Sequence, residues 1–312
     1  MKPKSCSQKE SNSVWSVLEL DKKFKLQRTR ALIQALASLI TNLELPNFLN
    51  GQIYRGPIKI ACVPGLNCYS CPGALGSCPI GALQATIGSS KFNMAYYVTG
   101  LLILFGIVFA RFICGFLCPF GWFQELLHKI PSKKFSSKKL KLLRYLKYLI
   151  LLIFVILLPL LAVNPAGLSN PYFCKFICPQ GILQGAIPLA LVNSSIRATL
   201  GPLFSLKACI ALSIIVASIF FFRPFCKWIC PLGALYALFN KISFLQMQVN
   251  PTTCISCKKC VKACKMDVDI TKDSAHLECI RCGMCKSACP TQSINYSFSP
   301  LTKLNERKIN EH

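Results

Sequence analysis

Residues Arg111–Gln124 read RFICGFLCPFGWFQ. Cys114 and Cys118 stand in front of a Pro-x-Gly turn, straight after an apolar run. The same device returns at Cys174–Gln184 (CKFICPQGILQ) and at Cys226–Leu235 (CKWICPLGAL). A half copy stands at Cys78–Gln84 (CPIGALQ), where the position four before Cys78 is Ala74. Proline after the second cysteine suits the first position of a helix, where its missing N–H is an orphan anyway. The glycine that follows lets backbone approach closely. The helix N-terminus then offers positive potential to anything anionic held by the thiols.

The composition says what that anion is. The chain has 312 residues, of which 53% are hydrophobic and 15% charged. An ordinary soluble domain carries more charge. Twenty cysteines stand beside only three histidines. Zinc sites that mix Cys and His are therefore poorly supplied, whereas all-thiolate iron–sulfur ligation fits. A disulfide scaffold belongs to short secreted chains. The net charge of +25 points to anionic lipid or nucleic acid. The positive residues gather in runs flanking apolar segments, which favours lipid and leaves nucleic acid unneeded.

Four apolar stretches are expected to span a membrane: Ala31–Leu49, Phe92–Ala110, Leu142–Val163 and Ala198–Phe222. The first is the weakest, interrupted by Gln34, Asn42 and Glu44. Arg144 and Lys147 are expected to snorkel at the start of the third. Residues 1–30 are polar and Lys-rich, without the pattern of a cleavable signal peptide, and read as a basic cytoplasmic tail. The loop between the second and third spans holds Lys129, Lys133, Lys134, Lys138, Lys139 and Lys141 against one acid, Glu125. The positive-inside rule puts that loop and both termini in the cytoplasm. Cys62, Cys68, Cys71, Cys78, Cys174 and Cys178 then fall on an outer side, and Cys114, Cys118, Cys226 and Cys230 on an inner side. The expected fold is mainly α: a four-span membrane bundle over 31–247, possible re-entrant helices included, built of two parallel repeats at about 30–130 and 142–242. A small α+β module at 248–298 and a C-terminal tail at 299–312 complete it.

One C-x3-C pair supplies two of the four thiolates that a 4Fe–4S cluster needs. Cys114 and Cys118 with Cys226 and Cys230 are expected to make one inner set. Outside, Cys174 and Cys178 are expected to join Cys78. Cys71 is the expected fourth ligand and Cys68 the alternative. Cys62 and the other spare thiol are left for a disulfide or a further metal. Gln84, Gln124, Gln184 and Tyr236 share one place after the four turns. An amide paired at a helix–helix contact is the plainer expectation there. A hydrogen bond to cluster sulfur or to a quinone headgroup is the other.

Residues 254–290 contain CISCKKCVKACK and CIRCGMCKSACP, the spacing C-x2-C-x2-C-x3-C twice. This is the signature of a two-cluster bacterial ferredoxin, in which the fourth cysteine of each run serves the other cluster. One cluster is expected on Cys254, Cys257, Cys260 and Cys289. The other is expected on Cys279, Cys282, Cys285 and Cys264. Lys265 stands where proline usually follows the fourth cysteine, while Pro290 keeps it.

These residues resemble the membrane-bound 4Fe–4S polyferredoxins of the NapH/NosR/CcoG type. That group includes the quinol-dehydrogenase subunit of periplasmic nitrate reductase and the cytochrome-oxidase assembly ferredoxin. The likeness rests on the C-x3-C-P turns and the C-terminal ferredoxin runs, across about residues 30–295. The extra segment Cys62–Cys78 and the third C-x3-C-P pair depart from it. The resemblance implies a multi-pass protein of a prokaryotic plasma membrane that exchanges electrons with quinone or a membrane redox partner. A cytoplasmic electron carrier or acidic redox protein is the expected partner at the other end. An electron-transfer subunit is expected rather than a self-sufficient enzyme, since no nucleotide loop or catalytic triad is present. The competing roles are a maturation factor that reduces metal for another membrane enzyme, and a redox sensor.

Overall fold

The computed structural model describes residues 14–88, 95–162 and 169–298. The expected tails over 1–13 and 299–312 lie outside these. The described chain is mainly helical. Its longer helices are α1 (Val14–Thr41), α2 (Pro79–Ile87), α3 (Ala95–Val108), α4 (Pro119–His128), α5 (Leu142–Leu161), α6 (Gly181–Val192), α7 (Pro202–Phe220) and α8 (Pro231–Leu238). One-turn helices at Phe112–Phe116, Tyr172–Phe176 and Pro224–Trp228 carry the first cysteine of each C-x3-C pair. The second cysteine caps the next helix in three turns. Cys78, Cys118 and Cys230 are extended N-caps, and Pro79, Pro119 and Pro231 open α2, α4 and α8.

Among the described residues two helices are long and apolar enough to cross a membrane: α5 and α7, with mean hydropathy 2.1 and 2.3. About 20 residues are needed for the hydrocarbon core. α3 and α6 are apolar but shorter. The stretch 31–49 is not one helix, because the chain breaks after Thr41. α1 begins at Val14, runs through what reads as a tail, and ends at Thr41. Its polarity is inside out. Arg30 and Gln34, one turn apart, are buried, while Leu32, Leu36, Leu39 and Ile40 are exposed. Gln34 donates to the carbonyl of Gly115 at 2.9 Å, and Arg30 pairs with Glu125. What breaks the apolar run in the sequence is thus the stripe that faces the protein.

The loop cations are also not where hydropathy puts them. Lys147 does not snorkel. It is fully buried and meets Glu278 at 2.5 Å. Arg111 meets the same carboxylate at 2.7 Å. Arg144 reaches Asp267 at 3.8 Å, and Lys227 reaches it at 3.1 Å. These acids belong to the C-terminal cysteine-rich segment, which is closed by β1 (Gln246–Val249) and β2 (Ile294–Ser297), antiparallel with Gln246 opposite Ser297. The segment is therefore bolted to the helices rather than tethered to them. Arg281 extends the joint, donating to the carbonyls of Phe109 at 3.0 Å and Asn240 at 2.8 Å. Gly115 makes the closest approach possible, because a Cβ there would meet the carbonyl oxygen of Ile280 at 2.5 Å.

Within the segment the two cysteine runs repeat the same backbone. Ser256 and Arg281, Lys258 and Gly283, and Asp267 and Gln292 hold matching places, and all six have positive φ. One apolar core extends from Cys62 and Cys78 through Cys118 and Cys230 to Met266 and Ile280.

Burial works against ionisation of Glu278, but Arg111 and Lys147 outweigh it and hold the carboxyl at about 2. Its folded pKa is depressed, so its stabilisation is present above the unfolded value of about 4.3 and is lost as pH falls toward 2. Glu278→Ala strands two buried cations, and is expected to cost about 3–5 kcal/mol. Hydrogen exchange at Ile280 and Arg281 should accelerate in that variant, whereas Lys262→Ala on the exposed face should leave it unchanged.

Candidate metal centre

The structure brings Cys114, Cys118, Cys226 and Cys230 together. Cys230 lies within electrostatic reach of Cys226, Cys114 and Cys118, and all four are buried. The two halves hold each other by reciprocal contacts. Arg111, three before Cys114, donates to the carbonyl of Cys226 at 3.4 Å. Arg223, three before Cys226, donates to the carbonyl of Cys114. Both guanidinium groups are fully buried, and Arg223 also pairs with Glu125 at 2.8 Å. Gln124 Nε2 donates to Cys226 Sγ at 3.2 Å, and its Oε1 accepts from the Phe225 N–H at 3.1 Å.

The outer set repeats this arrangement with one exchange. Cys68, rather than Cys71, acts electrostatically on Cys78, Cys174 and Cys178. Cys71 lies one thiol away, 3.5 Å from Asn42 Oδ1. Cys68, the alternative in the sequence reading, is thus the one that stands beside the other three. Ala74 occupies the repeat position where a first cysteine is missing, and the Cys68 loop folds over to fill the gap. Gln184 marks the substitution by accepting from the Cys68 N–H at 3.1 Å. Gln84 mirrors Gln124, donating to Cys174 Sγ at 3.3 Å and accepting from the Phe173 N–H at 2.9 Å. Cys62 is a free thiol bridged through its backbone to Ser77, and no disulfide forms among the described residues.

All four Pro-x-Gly turns do the same thing to sulfur. The glycine N–H points at the second cysteine: Gly81 at Cys78, Gly121 at Cys118, Gly181 at Cys178, and Gly233 at Cys230 at 3.4 Å. The two sets are also neighbours. The Leu66 N–H points at Cys118, and a Cβ on Gly65 would sit 2.9 Å from the Cys118 Cα. Tyr236 is fully buried between the sets, within reach of Cys114 and Cys118 on one side and Cys78 and Cys62 on the other. The loop after Cys62 turns back into the protein and lies against the Cys118 turn. Tyr236 donates to the carbonyl of Pro64 at 3.0 Å and so pins that loop.

The structure groups the eight C-terminal cysteines in two sets of four. Cys254, Cys257, Cys260 and Cys289 line one small cavity. Cys264, Cys279, Cys282 and Cys285 act on one another at the joint with the helices. No group of three His, Cys, Asp or Glu among the described residues converges as round a single ion. Ligands of a four-iron cluster each bind a different iron, so they stand further apart than ligands sharing one ion. The chemistry of the donors fits such a cluster. Burial, with Cys178 and Cys68 nearby, pushes the Cys78 thiol up to about 12 even though the peptide N–H groups of Ile80 and Gly81 are aimed at its sulfur. Donors spent on a neutral thiol gain little; donors to a metal-bound thiolate gain much.

Arg111, Arg223 and Glu278 were given no role by spacing alone. The signal was present as R-x2-C-x3-C-P at both 111 and 223, and absent before Cys174, where Pro171 stands.

The family described as 4Fe-4S binding domain matches residues 94–138, 149–190 and 208–247. Each matched segment contains one C-x3-C-P pair. The uncharacterized protein MJ0750 of Methanocaldococcus jannaschii is 29% identical over 225 residues, 71% of this chain and 87% of its own length. The uncharacterized protein MJ0749 of the same organism is 26% identical over 216 residues, 69% of this chain and 75% of its own. The "Putative electron transport protein YccM" of Escherichia coli K12 is 27% identical over 196 residues, 61% of this chain and 52% of its own. No solved structure matches. Over these segments the chain is thus similar to a 4Fe–4S binding domain, and it is distantly similar to a protein named for electron transport.

Cys68→Ser is expected to remove about four irons per chain from anaerobically purified protein, one cluster's worth. Cys71→Ser should remove none. Iron and acid-labile sulfide assays decide between them.

Proposed function

We propose that the protein is a membrane-bound iron–sulfur electron carrier with four cluster sites. They are Cys68/Cys78/Cys174/Cys178, Cys114/Cys118/Cys226/Cys230, Cys264/Cys279/Cys282/Cys285 and Cys254/Cys257/Cys260/Cys289. Clusters held there supply one-electron redox chemistry. The rest is the work of the chain, which spaces the sites, excludes water and supplies counter-charge.

The observation that carries this reading is continuity. Tyr236 spans the first two sets, and the Gly115–Ile280 contact joins the second to the third. Cys260 and Cys264 bracket one helical turn between the third and fourth. Consecutive sites are thus linked by packed protein. Membrane attachment is supported by α5 and α7 and by the apolar outward face of α1. At the first site the partner is a quinone or a membrane redox protein, reached from the lipid. At the fourth site Cys257 is exposed between Ile255 and Lys258, with Lys262 and Lys272 also exposed. That surface suits an acidic soluble carrier.

Anaerobic protein should hold about sixteen irons per chain, four for each of the four sites. Full chain in vesicles should exchange electrons with an acidic ferredoxin-type carrier. Lys258→Glu with Lys262→Glu should slow that exchange about tenfold at low salt and flatten its salt dependence, with iron content unchanged. An unaltered rate would place the soluble partner elsewhere.

A further inference from the structure

We infer that Gln84 and Gln124 set the reduction potentials of the two helix-borne sites, one glutamine for each, by donating a hydrogen bond to ligand sulfur. This rests on the cluster reading of those sites. Each glutamine stands at the same place after its turn, and each crosses to the other half of the molecule. Gln124 donates to Cys226 Sγ at 3.2 Å, and Gln84 to Cys174 Sγ at 3.3 Å. Both side chains are buried, at 0% and 1% exposure.

The amides have no freedom to turn. The Oε1 atoms accept from the N–H groups of Phe225 and Phe173 at 3.1 and 2.9 Å. Flipping either amide would set an NH2 against a peptide N–H, so the assignment of nitrogen to the sulfur side is forced. Each Nε2 also reaches a carbonyl of its own helix, Phe120 at 3.3 Å and Ile80 at 3.2 Å. All hydrogen-bonding capacity except one acceptor lone pair is therefore used, and one N–H is left for sulfur. The third amide of the repeat is different. Gln184 faces a peptide N–H of Cys68 with its oxygen and gives nothing to sulfur there. At the fourth place Tyr236 turns its hydroxyl to Pro64. Each of these two sites thus receives one amide donor, from the first half of the chain.

One-electron reduction adds negative charge to a site without moving a proton. A fixed donor on ligand sulfur then stabilises the reduced form more than the oxidised form, and in a dry site this difference is not screened. Removing the donor lowers the potential of that site alone. The glutamines are positioning residues that act through the cysteine ligands.

The test is an anaerobic redox titration of full-length protein followed by electron paramagnetic resonance, with iron counted on the same samples. Gln124→Met keeps the volume and removes the donor. It is expected to shift one component's reduction equilibrium about tenfold, about 59 mV downward for one electron. Gln84→Met should shift a different component by a similar amount. The two ferredoxin-type components should not move in either variant. Gln124→Glu and Gln84→Glu keep the acceptor for the Phe N–H while losing the amide donor, and should shift the same components downward. Unchanged or raised potentials in variants with wild-type iron overturn the inference. So does loss of iron in both the Met and Glu variants of a site, which would make the glutamine a clasp between halves. A wild-type iron content well short of about sixteen would instead sink the four-site reading.

Discussion

A buried thiolate is tolerable only where something positive faces it, and the structure is arranged round that requirement. Unpaired, a carboxylate- or thiolate-sized charge in an apolar core shifts its pKa until it neutralises. Here the compensation comes from three sources. Glycine N–H groups at the helix starts point at the second cysteine of every turn. Amide side chains reach the first cysteine of the opposite half. Buried arginines flank the inner set, and each holds a carbonyl of the facing turn. None of these groups could be buried alone, so the cysteine turns, the glutamines and the arginines depend on one another.

That dependence extends to the acids. Arg111, Lys147 and Arg223 bring more positive charge into the core than the protein matrix alone can carry. Glu278 and Glu125 answer it from two sides. Since Glu278 belongs to the cysteine-rich C-terminal segment, neutralising the helix core and docking that segment are one event. The segment cannot leave without stranding two cations, an uncompensated cost of several kcal/mol. A ferredoxin swinging on a linker would have to find its electron partner by diffusion. Here the C-terminal segment is held with the Ile280 backbone against Gly115.

The C-x3-C-P-x-G turns and the eight-cysteine runs were legible because ligand chemistry fixes their spacing. Helix starts followed from proline for the same local reason. The tertiary choices were not legible. Gln34 and Arg30 read as flaws in an apolar span, since hydropathy counts residues without knowing which face meets protein. Lys147 read as a snorkelling cation because its partner lies more than a hundred residues away in sequence. Spacing ranked Cys71 before Cys68, because it cannot see that Gln184 holds the Cys68 N–H while Cys71 turns to Asn42. The reciprocal arginines were visible as a repeated R-x2-C and needed only the question of what each faces.

The depth of the sites follows from the loop after Cys62. Two halves with cysteine turns at opposite ends would leave a gap of about 30 Å of hydrocarbon between them, too wide for one tunnelling step. In this structure backbone brings the two cysteine sets together. Pro64, Gly65 and Leu66 reach down to the Cys118 turn, and Gly65 is needed because any side chain would strike the Cys118 backbone. Tyr236 then fills the space between the sets, taking the place that glutamine holds in the other three turns. A glutamine there would be too short to meet Pro64 and would leave a polar end unpaired in the driest part of the core. The departure of the repeat at this one position is thus what lets two symmetric half-sites become neighbours.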